Sequence, residues 1–563
     1  MVEIPYTVWA LLPVVAWLLY SQLRRWRFGA FAHIPHVFPP YLLFGNVPHI
    51  ASGIKKLGDA RRHPDYVFDD MWRSKGHPEI VFLDLRPVNW GMSIIASNEV
   101  AEQITRTSKM YPISVTKSPT MGALLPLIGK RSIFVAESLP LIRAQEATWK
   151  VLRKQFNQGF APQHLLTLLP RIVDKTSTFM SKLDSLAKSG AEFDMEPLCT
   201  NVTFDIIGDI ITNLDFRAQD EDGGGDIVKH FRTLLSTYAD SGNVGVSLNI
   251  PKRIQRFISS RKADVAIKKC IQEKFDEIKE AQKTETKATK DRSVLALSLK
   301  DTEVLTPEIL QVTADQVKSF LFAGHDTTSS LLQWLFYALS VHPRCLAAIR
   351  AEHDAVFGDQ DPREVMLAKP DESMKALSYT SACIKEALRL WPPAGSARMA
   401  APGKGFTVKL ENGDSVCLDG TILYLCPSLI QRDPKVYGDT ADDFVPERWL
   451  GDIDTSAMSK DEEGNQRGAS NIPISAWRPF ERGPRNCIGQ ELANLEARVI
   501  IASVMRRYDF IKVGAGEVVL DEKDQPILGE KGRYKLKSEL FNSMIITSKP
   551  FDKTRMKVKL RSK

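Results

Sequence analysis

The sequence predicts a mainly α fold with a small β-rich part, and three observations support this. Thr306-Pro307 puts a capping residue before a proline at the first helical position, and the mostly apolar stretch that follows runs to about His342. Apolar residues recur at helical spacing after Cys487. Two short apolar runs, 80–83 and 93–96, are instead typical of strands.

The N-terminal run 4–23 contains no charged side chain and is long enough to span a bilayer as a helix. Pro13 is tolerated in a membrane helix. A cleaved signal peptide is the alternative. It is disfavoured because Glu3, with no Lys or Arg, precedes the run and no small-residue cleavage site follows it. The arginines of 24–27 follow instead, and the positive-inside tendency would keep them in the cytosol.

No Gly/Ser linker or internal repeat divides the 563 residues, so one large unit is favoured, although two separate domains stay open. Four prolines between positions 35 and 48 indicate a stiff, turn-rich segment. The expected organisation is therefore a membrane anchor with a basic flank over 1–27, a proline-rich hinge over 28–50 and a main body over 51–563.

The net charge of +7 is unevenly placed, because the last fifteen residues alone hold seven Lys and Arg against one Asp. The rest of the chain is nearly neutral and gives no support for a basic nucleic-acid-binding face. Within the basic end, Met556, Val558 and Leu560 alternate with charged residues. This pattern indicates a strand with one wet face, or equally a frayed basic tail.

Seven cysteines are scattered along the chain, without a C-x-x-C pair. Their odd number and spacing argue against a disulfide framework or a zinc site and fit a reducing compartment.

Cys487 stands between a loop sequence, broken by Pro479, Gly483 and Pro484, and the start of a helical pattern. Amide groups and the dipole at a helix N-terminus favour an anion, so a thiolate would be stabilised there. Gly483 and Gly489 would let a flat ligand approach the backbone closely. These features indicate an activated cysteine, whereas a buried structural cysteine is the ordinary alternative.

Five positions of this loop resemble the haem-binding signature F-x-x-G-x-R-x-C-x-G of the cytochrome P-450 superfamily: Phe480, Gly483, Arg485, Cys487 and Gly489. The resemblance implies that Cys487 is the axial ligand of haem iron and that the other four residues help to bind the cofactor. One departure is Glu481, where family members often carry glycine.

The long helix contains Ala323-Gly324-His325-Asp326-Thr327-Thr328. By itself, this stretch is explained if the threonines bond back to the preceding turn and Asp326 finds a basic partner. It also resembles the family's A/G-G-x-D/E-T-T/S motif. The resemblance implies that Ala323 and Gly324 leave room over the iron, and that Asp326 and Thr327 relay protons to dioxygen. His325 is interpreted as packing or hydrogen bonding within the helix.

Three further motifs resemble those of the family. Glu386 and Arg389 form an E-x-x-R pair that can meet on one helix, and Arg448 lies in a segment similar to P-E-R-F/W. The resemblance implies that these three form a buried structural network. It also implies that Trp149, Arg153 and Arg398 contact the haem propionates.

Together, the motifs imply a cytochrome P-450 fold preceded by one transmembrane helix, with one haem b. The implied reaction is insertion of one oxygen atom from O2 into a lipophilic molecule. Because no G-x-G-x-x-G fingerprint is present, electrons would come from NADPH through a separate reductase, with cytochrome b5 as a possible second donor. The reductase is expected to dock near Lys150, Arg153 and Lys154.

The resemblance places the substrate pocket around 113–135, 320–324, 394–397 and 541–547 without identifying the substrate. The overall pattern is similar to fungal enzymes of secondary metabolism, with a polyketide or terpenoid substrate. The expected location is the endoplasmic reticulum membrane, single-pass, with the catalytic part facing the cytosol. A haem-thiolate isomerase or dehydratase and a non-catalytic haem sensor or carrier are the alternatives. Asp326 and Thr327 argue against both.

Overall fold

A computed structural model describes residues 6–135, 146–238, 249–283, 291–451, 459–460, 466–467 and 472–561. Helices dominate, as predicted. In chain order they are α1 (Tyr6–Gly29), α2 (Val47–Lys56), α3 (Pro64–Arg73), α4 (Asn98–Thr105), α5 (Leu125–Ile128), α6 (Glu146–Asn157), α7 (Pro162–Leu166), α8 (Leu169–Ser189), α9 (Met195–Thr212), α10 (Asp226–Ser236), α11 (Ile250–Lys283), α12 (Val294–Leu299), α13 (Pro307–Val341), α14 (Pro343–Phe357), α15 (Pro362–Ala368), α16 (Pro370–Ala376), α17 (Ser378–Leu390), α18 (Pro427–Ile430), α19 (Pro434–Tyr437) and α20 (Gln490–Val504).

The strands are short, and the two predicted from the apolar runs are present. They are β1 (Ile80–Asp84), β2 (Gly91–Ile95), β3 (Phe193–Asp194), β4 (Ser396–Met399), β5 (Thr407–Lys409), β6 (Ser415–Cys417), β7 (Ile422–Leu425), β8 (Ser459–Lys460), β9 (Gln466–Arg467), β10 (Tyr508–Lys512), β11 (Asn542–Met544), β12 (Ser548–Pro550) and β13 (Arg555–Leu560). Met556 and Val558 of β13 are fully buried, so the basic C-terminal end is a strand rather than a frayed tail.

The chain divides into two compact units. The smaller unit consists of Met1–Ser118, Gly395–Asp433 and Glu481–Arg485, and the larger unit consists of Pro119–Ala394, Pro434–Phe480 and Asn486–Lys563. Each unit is built from segments that are distant in the sequence. The boundaries that were predicted at residues 27 and 50 do not coincide with this division. The membrane anchor over 1–27 and the hinge over 28–50 stay predictions.

The smaller unit is organised around a four-stranded sheet in the order β1-β2-β7-β4. The central strands β2 and β7 are parallel, with Met92 opposite Ile422, and the two outer strands pair antiparallel to them. Nearly every side chain of β1 and β2 is buried, so these strands are continuous apolar runs rather than alternating ones.

The larger unit is organised around α13, a 35-residue helix that begins as predicted. The Thr306 hydroxyl accepts a hydrogen bond from the backbone N–H of Ile309, and Pro307 occupies the first turn. The helix ends at Val341, and Pro343 opens the next helix. The side chains of residues 313–322 and 328–339 are buried, so α13 runs through the core.

Helix α1 extends beyond the predicted anchor, and its C-terminal turn is part of the smaller unit. Arg27, which was predicted to be a cytosolic flank, is buried and forms an ion pair with Asp84 at 2.7 Å. Within the described residues, no helix combines the length and mean hydropathy needed to cross a bilayer. The predicted membrane-spanning helix over 4–23 is therefore not confirmed, and its first two residues lie outside the described range.

Candidate functional site

Cys487 lies two residues before Gly489, the N-cap of α20, as the sequence predicted. Its backbone N–H donates to the Phe480 carbonyl at 2.8 Å and closes the loop in front of the helix. Cys487 is the exposed cysteine of the chain; Cys417 is partly buried and the other five are buried. An exposed thiol at a helix N-terminus is suited to act as a thiolate ligand.

Arg153 of α6 binds the residue next to this thiol. Its Nη1 donates to the Asn486 carbonyl at 2.8 Å and its Nη2 to Asn486 Oδ1 at 2.9 Å. Burial lowers the pKa of Arg153, and the charge of Cys487 opposes this effect. Trp149 is buried one turn earlier on α6. Arg153, which was predicted to contact a propionate, therefore supports the ligand loop.

Residues 481–485 belong to the smaller unit, where Gly483 is required by its surroundings. Its φ is +76°, and a Cβ there would lie 2.1 Å from the Thr105 carbonyl oxygen. Glu481 also has a positive φ, +53°, which is uncommon for a residue other than glycine. Arg485 is buried. The loop thus keeps at Glu481 a conformation that suits the glycine often found there in the family.

Arg398 lies on β4 and is fully buried in the smaller unit. Its Nη1 donates to Ser114 Oγ at 3.4 Å and to the Val115 carbonyl at 3.2 Å. Its role as a propionate-binding residue was implied only by the family resemblance, since no local pattern distinguishes this arginine.

Glu386, Arg389 and Arg448 lie together in the larger unit. Arg389 binds both oxygens of Glu386 at 2.8 and 2.9 Å, and Arg448 Nε donates to Glu386 Oε1 at 3.1 Å. The backbone N–H of Val445 and the indole N–H of Trp449 also donate to Glu386, at 2.9 and 2.8 Å. Trp449 was not assigned a site role, although its N–H makes it a donor that phenylalanine at this position would not be.

The middle of α13 departs from the burial of the rest of the helix. Between residues 313 and 339, the partly exposed residues are Ala323, Gly324 and Thr327, and the other residues are buried. Ala323 and Thr327 share one face, and the Thr327 hydroxyl donates to the Ala323 carbonyl at 2.7 Å. Gly324 also has a packing role, because a Cβ there would lie 2.6 Å from the Ile207 side chain of α9.

His325 is fully buried, and its contacts are those of a packing residue rather than of a ligand. Its Nδ1 lies 2.6 Å from the Leu321 carbonyl, and its ring packs on Phe204 with centroids 4.8 Å apart. The interpretation of His325 as a packing and hydrogen-bonding residue is confirmed.

Asp326 is buried and bound on both carboxylate oxygens, by Thr547 of the predicted pocket segment 541–547 and by Lys549, which sequence reasoning missed. Lys549 Nζ lies 2.5 Å from Oδ1, and the Thr547 hydroxyl donates to Oδ2 at 2.5 Å. Burial raises the pKa of Asp326, but the charges of Lys549 and His325 and the two bonds outweigh it, so the net pKa is lowered. The basic partner expected for Asp326 is therefore present.

A second missed residue is Glu496 of α20, which is fully enclosed in the core. Burial raises the pKa of its carboxyl group to about 8, and a hydrogen bond from Thr328 only partly opposes this. The signal that could have identified it is its place on the apolar face of α20, four residues after Leu492 and four before Ile500. No comparable signal marks Lys549, which the sequence shows only as one of many basic residues near the C-terminus.

The residues present fit a haem. The exposed thiol of Cys487 supplies an iron ligand, and a Cβ on Gly489 would lie 3.9 Å from its sulfur atom, so glycine leaves that approach open. Buried Arg398 and Arg485 in the smaller unit carry the donor forks that match carboxylates such as propionates. The mainly α fold, the exposed cysteine before a helix and the acid–hydroxyl pair in a core helix agree with the haem-thiolate class that the sequence motifs resemble.

Comparison with known proteins identifies the family. A family model described as Cytochrome P450 matches residues 92–537, which is most of the chain. The chain therefore belongs to the cytochrome P450 family, so the predicted family and kind of enzyme are confirmed. The predicted mainly α fold with a small β-rich part is confirmed as well, but the transmembrane helix that was expected to precede it is not. Members of this family are oxygen-incorporating oxidoreductases that contain haem iron.

Two similar relatives cover most of the chain. Cytochrome P450 monooxygenase acrF of Aspergillus aculeatus is 30% identical over 80% of this chain and 87% of its own length. Cytochrome P450 monooxygenase polC of Polytolypa hystricis is 26% identical over 84% of this chain and 80% of its own length. A bifunctional cytochrome P450/NADPH–P450 reductase of Gibberella moniliformis is 33% identical over 38% of this chain and 17% of its own length.

Proposed function

We propose that this chain is a haem-thiolate monooxygenase that holds haem b through Cys487 and oxidises a lipophilic small molecule with O2 and electrons from NADPH. The observation that carries the proposal is the exposed Cys487 thiol ahead of α20, with Arg153 bound to its neighbour. Haem supplies the oxygen activation, and the thiolate ligand favours cleavage of the O–O bond. The isomerase and sensor alternatives are not favoured by the family comparison.

The chain's own residues bind the cofactor and deliver protons. Arg398, Arg485 and Arg153 provide guanidinium groups for the propionate carboxylates. The partly exposed face of α13 at Ala323 and Thr327 leaves room beside an otherwise buried helix. The Thr327 hydroxyl holds a proton at this face, and Asp326 on the same helix provides a carboxylate that can take up a proton and pass it on.

We propose a separate NADPH-dependent reductase as the electron donor, with cytochrome b5 as an accessory. Lys150 and Lys154 are exposed on α6 beside Arg153, and the three residues line one surface concavity. Arg153 connects this surface to the residue before Cys487. Reversing the charge of Lys150 and Lys154 should slow electron transfer from the reductase at low salt and have less effect at high salt.

The proposed location is the endoplasmic reticulum membrane, with α1 as the attachment and the catalytic part in the cytosol. Large apolar side chains are exposed along α1, among them Leu11, Trp17 and Leu19. The attachment is tested by carbonate extraction of membranes from cells that express the full chain or a variant lacking residues 2–23. The shorter variant keeps Arg27 and its ion pair with Asp84, and a wild-type red-shifted Soret band in that variant checks that it folds. Release of the full chain by carbonate would contradict the proposal.

The substrate is proposed to be a lipophilic molecule of fungal secondary metabolism, a polyketide or terpenoid. This rests on the similarity to fungal monooxygenases and on the sequence resemblance. Substrate identity is best approached by incubating the reconstituted enzyme with such compounds under 18O2 and following incorporation of one labelled oxygen atom.

The deciding experiment is the reduced, carbon monoxide-bound difference spectrum of the purified protein. We expect a strongly red-shifted Soret band that is lost in Cys487→Ala. Cys417→Ala is the matched control, since Cys417 is the other cysteine that is not buried, and it should keep the band. A band that persists in Cys487→Ala would refute the ligand assignment.

A further inference from the structure

The acid of α13 is tied to the C-terminal hairpin β11–β12 rather than to its own helix. Thr547 and Lys549 hold one oxygen each of Asp326, and the Ser330 hydroxyl donates to the Ser548 carbonyl at 2.5 Å. The hairpin is thus bonded to α13 at two points one turn apart. Both oxygens of Asp326 have donors, so the carboxylate has a single orientation.

Lys549 also binds a second carboxylate. Its Nζ lies 3.1 Å from Glu196 Oε1, at the first turn of α9. The side chains become more exposed along the series, from 7% for Asp326 to 11% for Lys549 and 19% for Glu196. One ammonium group therefore lies between a buried and a more accessible carboxylate, and three structural elements meet at it.

We infer that Lys549 is a positioning residue for Asp326, and that Glu196 keeps the Lys549 ammonium in place. Asp326, in this arrangement, is held ionised and oriented by a residue 223 positions away. This inference rests on the proposed proton-delivery role of Asp326, but the position and ionisation of Asp326 can be measured independently of turnover.

The electrostatics agree with this geometry. Burial lowers the pKa of Lys549, but Asp326 and Glu196 outweigh it, so its net pKa is raised. The other groups near the pair are His325, whose pKa burial lowers, and Arg232, which acts on His325. Removing the ammonium would leave two carboxylates in a largely buried space, and proton uptake by Asp326 would relieve that repulsion. An ionised Asp326 can take up a proton and pass it on, whereas a carboxyl group that stays protonated through the working pH range cannot accept the next proton, so the relay would slow.

The direct test is carbon-13 NMR of the reduced, carbon monoxide-bound holoprotein labelled on aspartate carboxyl carbons. The Asp326 resonance is assigned by its absence from Asp326→Asn. We expect it to stay at the carboxylate position from pH 6 to 8 in the wild type and in Lys549→Arg. In Lys549→Met it should move to the protonated position within that range. A resonance that stays at the carboxylate position in Lys549→Met would overturn the inference.

Turnover provides the second readout, measured as reductase-supported NADPH oxidation in the absence of added substrate. We expect Lys549→Met to slow the reaction about tenfold at pH 6 and to raise the solvent deuterium isotope effect, with recovery in Lys549→Arg. Lys553→Met is the matched control: Lys553 lies in the turn after β12 and pairs with Asp194 at 3.7 Å on the surface. It should behave as wild type in both readouts.

Folding and the proposed function are checked separately. The double variant Lys549→Met/Glu196→Gln keeps Asp326 and removes the second carboxylate that Lys549→Met leaves uncompensated, and it serves if Lys549→Met folds poorly. An Asp326 resonance that stays at the carboxylate position from pH 6 to 8 in this variant would also overturn the inference. A wild-type red-shifted Soret band in each variant shows that thiolate ligation is intact. Loss of that band in the wild type itself would refute the proposed function and leave the NMR result on Asp326 unaffected.

Discussion

Arg389 binds both oxygens of Glu386, at 2.8 and 2.9 Å, and both side chains are fully buried. Removing one partner leaves a buried charge without its counterion, which costs about 3–5 kcal/mol. We therefore expect Arg389→Leu to lower the yield of haem-loaded protein sharply and to reduce the thermal unfolding midpoint. The comparison is Lys375→Ala on α16, where Lys375 pairs with Asp371 on the surface at 2.6 Å. A similar effect of both substitutions would contradict the structural role of the buried network.

Arg153 binds Asn486, the neighbour of Cys487, and its positive charge should stabilise the thiolate form of Cys487. In Arg153→Gln the positive charge is lost, so a larger fraction of the carbon monoxide complex should show the Soret band of protonated thiol. Asn486→Ala removes the Oδ1 bond but keeps the charge and the bond to the Asn486 carbonyl. It should therefore have a smaller effect. Equal effects would show that loop geometry, rather than charge, controls the ligand.

Glu481 has a φ of +53°, a conformation that costs a residue with a Cβ about 1 kcal/mol. Glu481→Gly should raise the free energy of unfolding by about 0.5–1 kcal/mol, since glycine adopts this conformation without strain. Glu481→Ala keeps the strain and is the control. The measurement is urea unfolding followed by tryptophan fluorescence, and a loss of stability in Glu481→Gly would show that the Glu481 side chain contributes more than its backbone strain removes.

The buried carboxyl group of Glu496 should make the free energy of unfolding decrease as the pH rises. Burial raises its pKa from 4.5 to about 8, so the folded protein binds a proton that the unfolded chain releases between these values. Its contribution to the free energy of unfolding is fully present below pH 4.5 and is lost as the pH rises through 8, by about 1.4 kcal/mol per pH unit. Glu496→Gln should remove this dependence and exceed wild-type stability at pH 8. Glu491→Gln, at a partly exposed position in the first turn of α20, should leave the dependence unchanged.

The haem-loop motif, the E-x-x-R pair and the capped start of α13 were readable from the sequence because each is local. Residues 480–489 lie in one loop, Glu386 and Arg389 are three apart, and Thr306 caps the helix that it precedes. Helical and strand periodicity likewise predicted α13, β1 and β2. In these cases the atoms that interact are also neighbours in the chain.

Other contacts could not be predicted because they join distant residues through packing. Lys549 meets Asp326 across more than 200 residues, and Arg153 meets Asn486 across more than 300. Arg27 looked like a membrane flank, but the folded chain buries it against Asp84. Gly324 fitted a ligand motif, yet its lack of a Cβ is also needed for contact with Ile207 of α9.

The chain alone identified the family and predicted the iron ligand and the residue types of the site, since these depend on side-chain chemistry at short spacing. Tertiary structure decided which charges are paired, which carboxyl groups stay ionised and which arginines are buried. The reason is that desolvation and Coulomb interactions depend on distance in space and on burial, and neither is encoded at any fixed separation along the sequence.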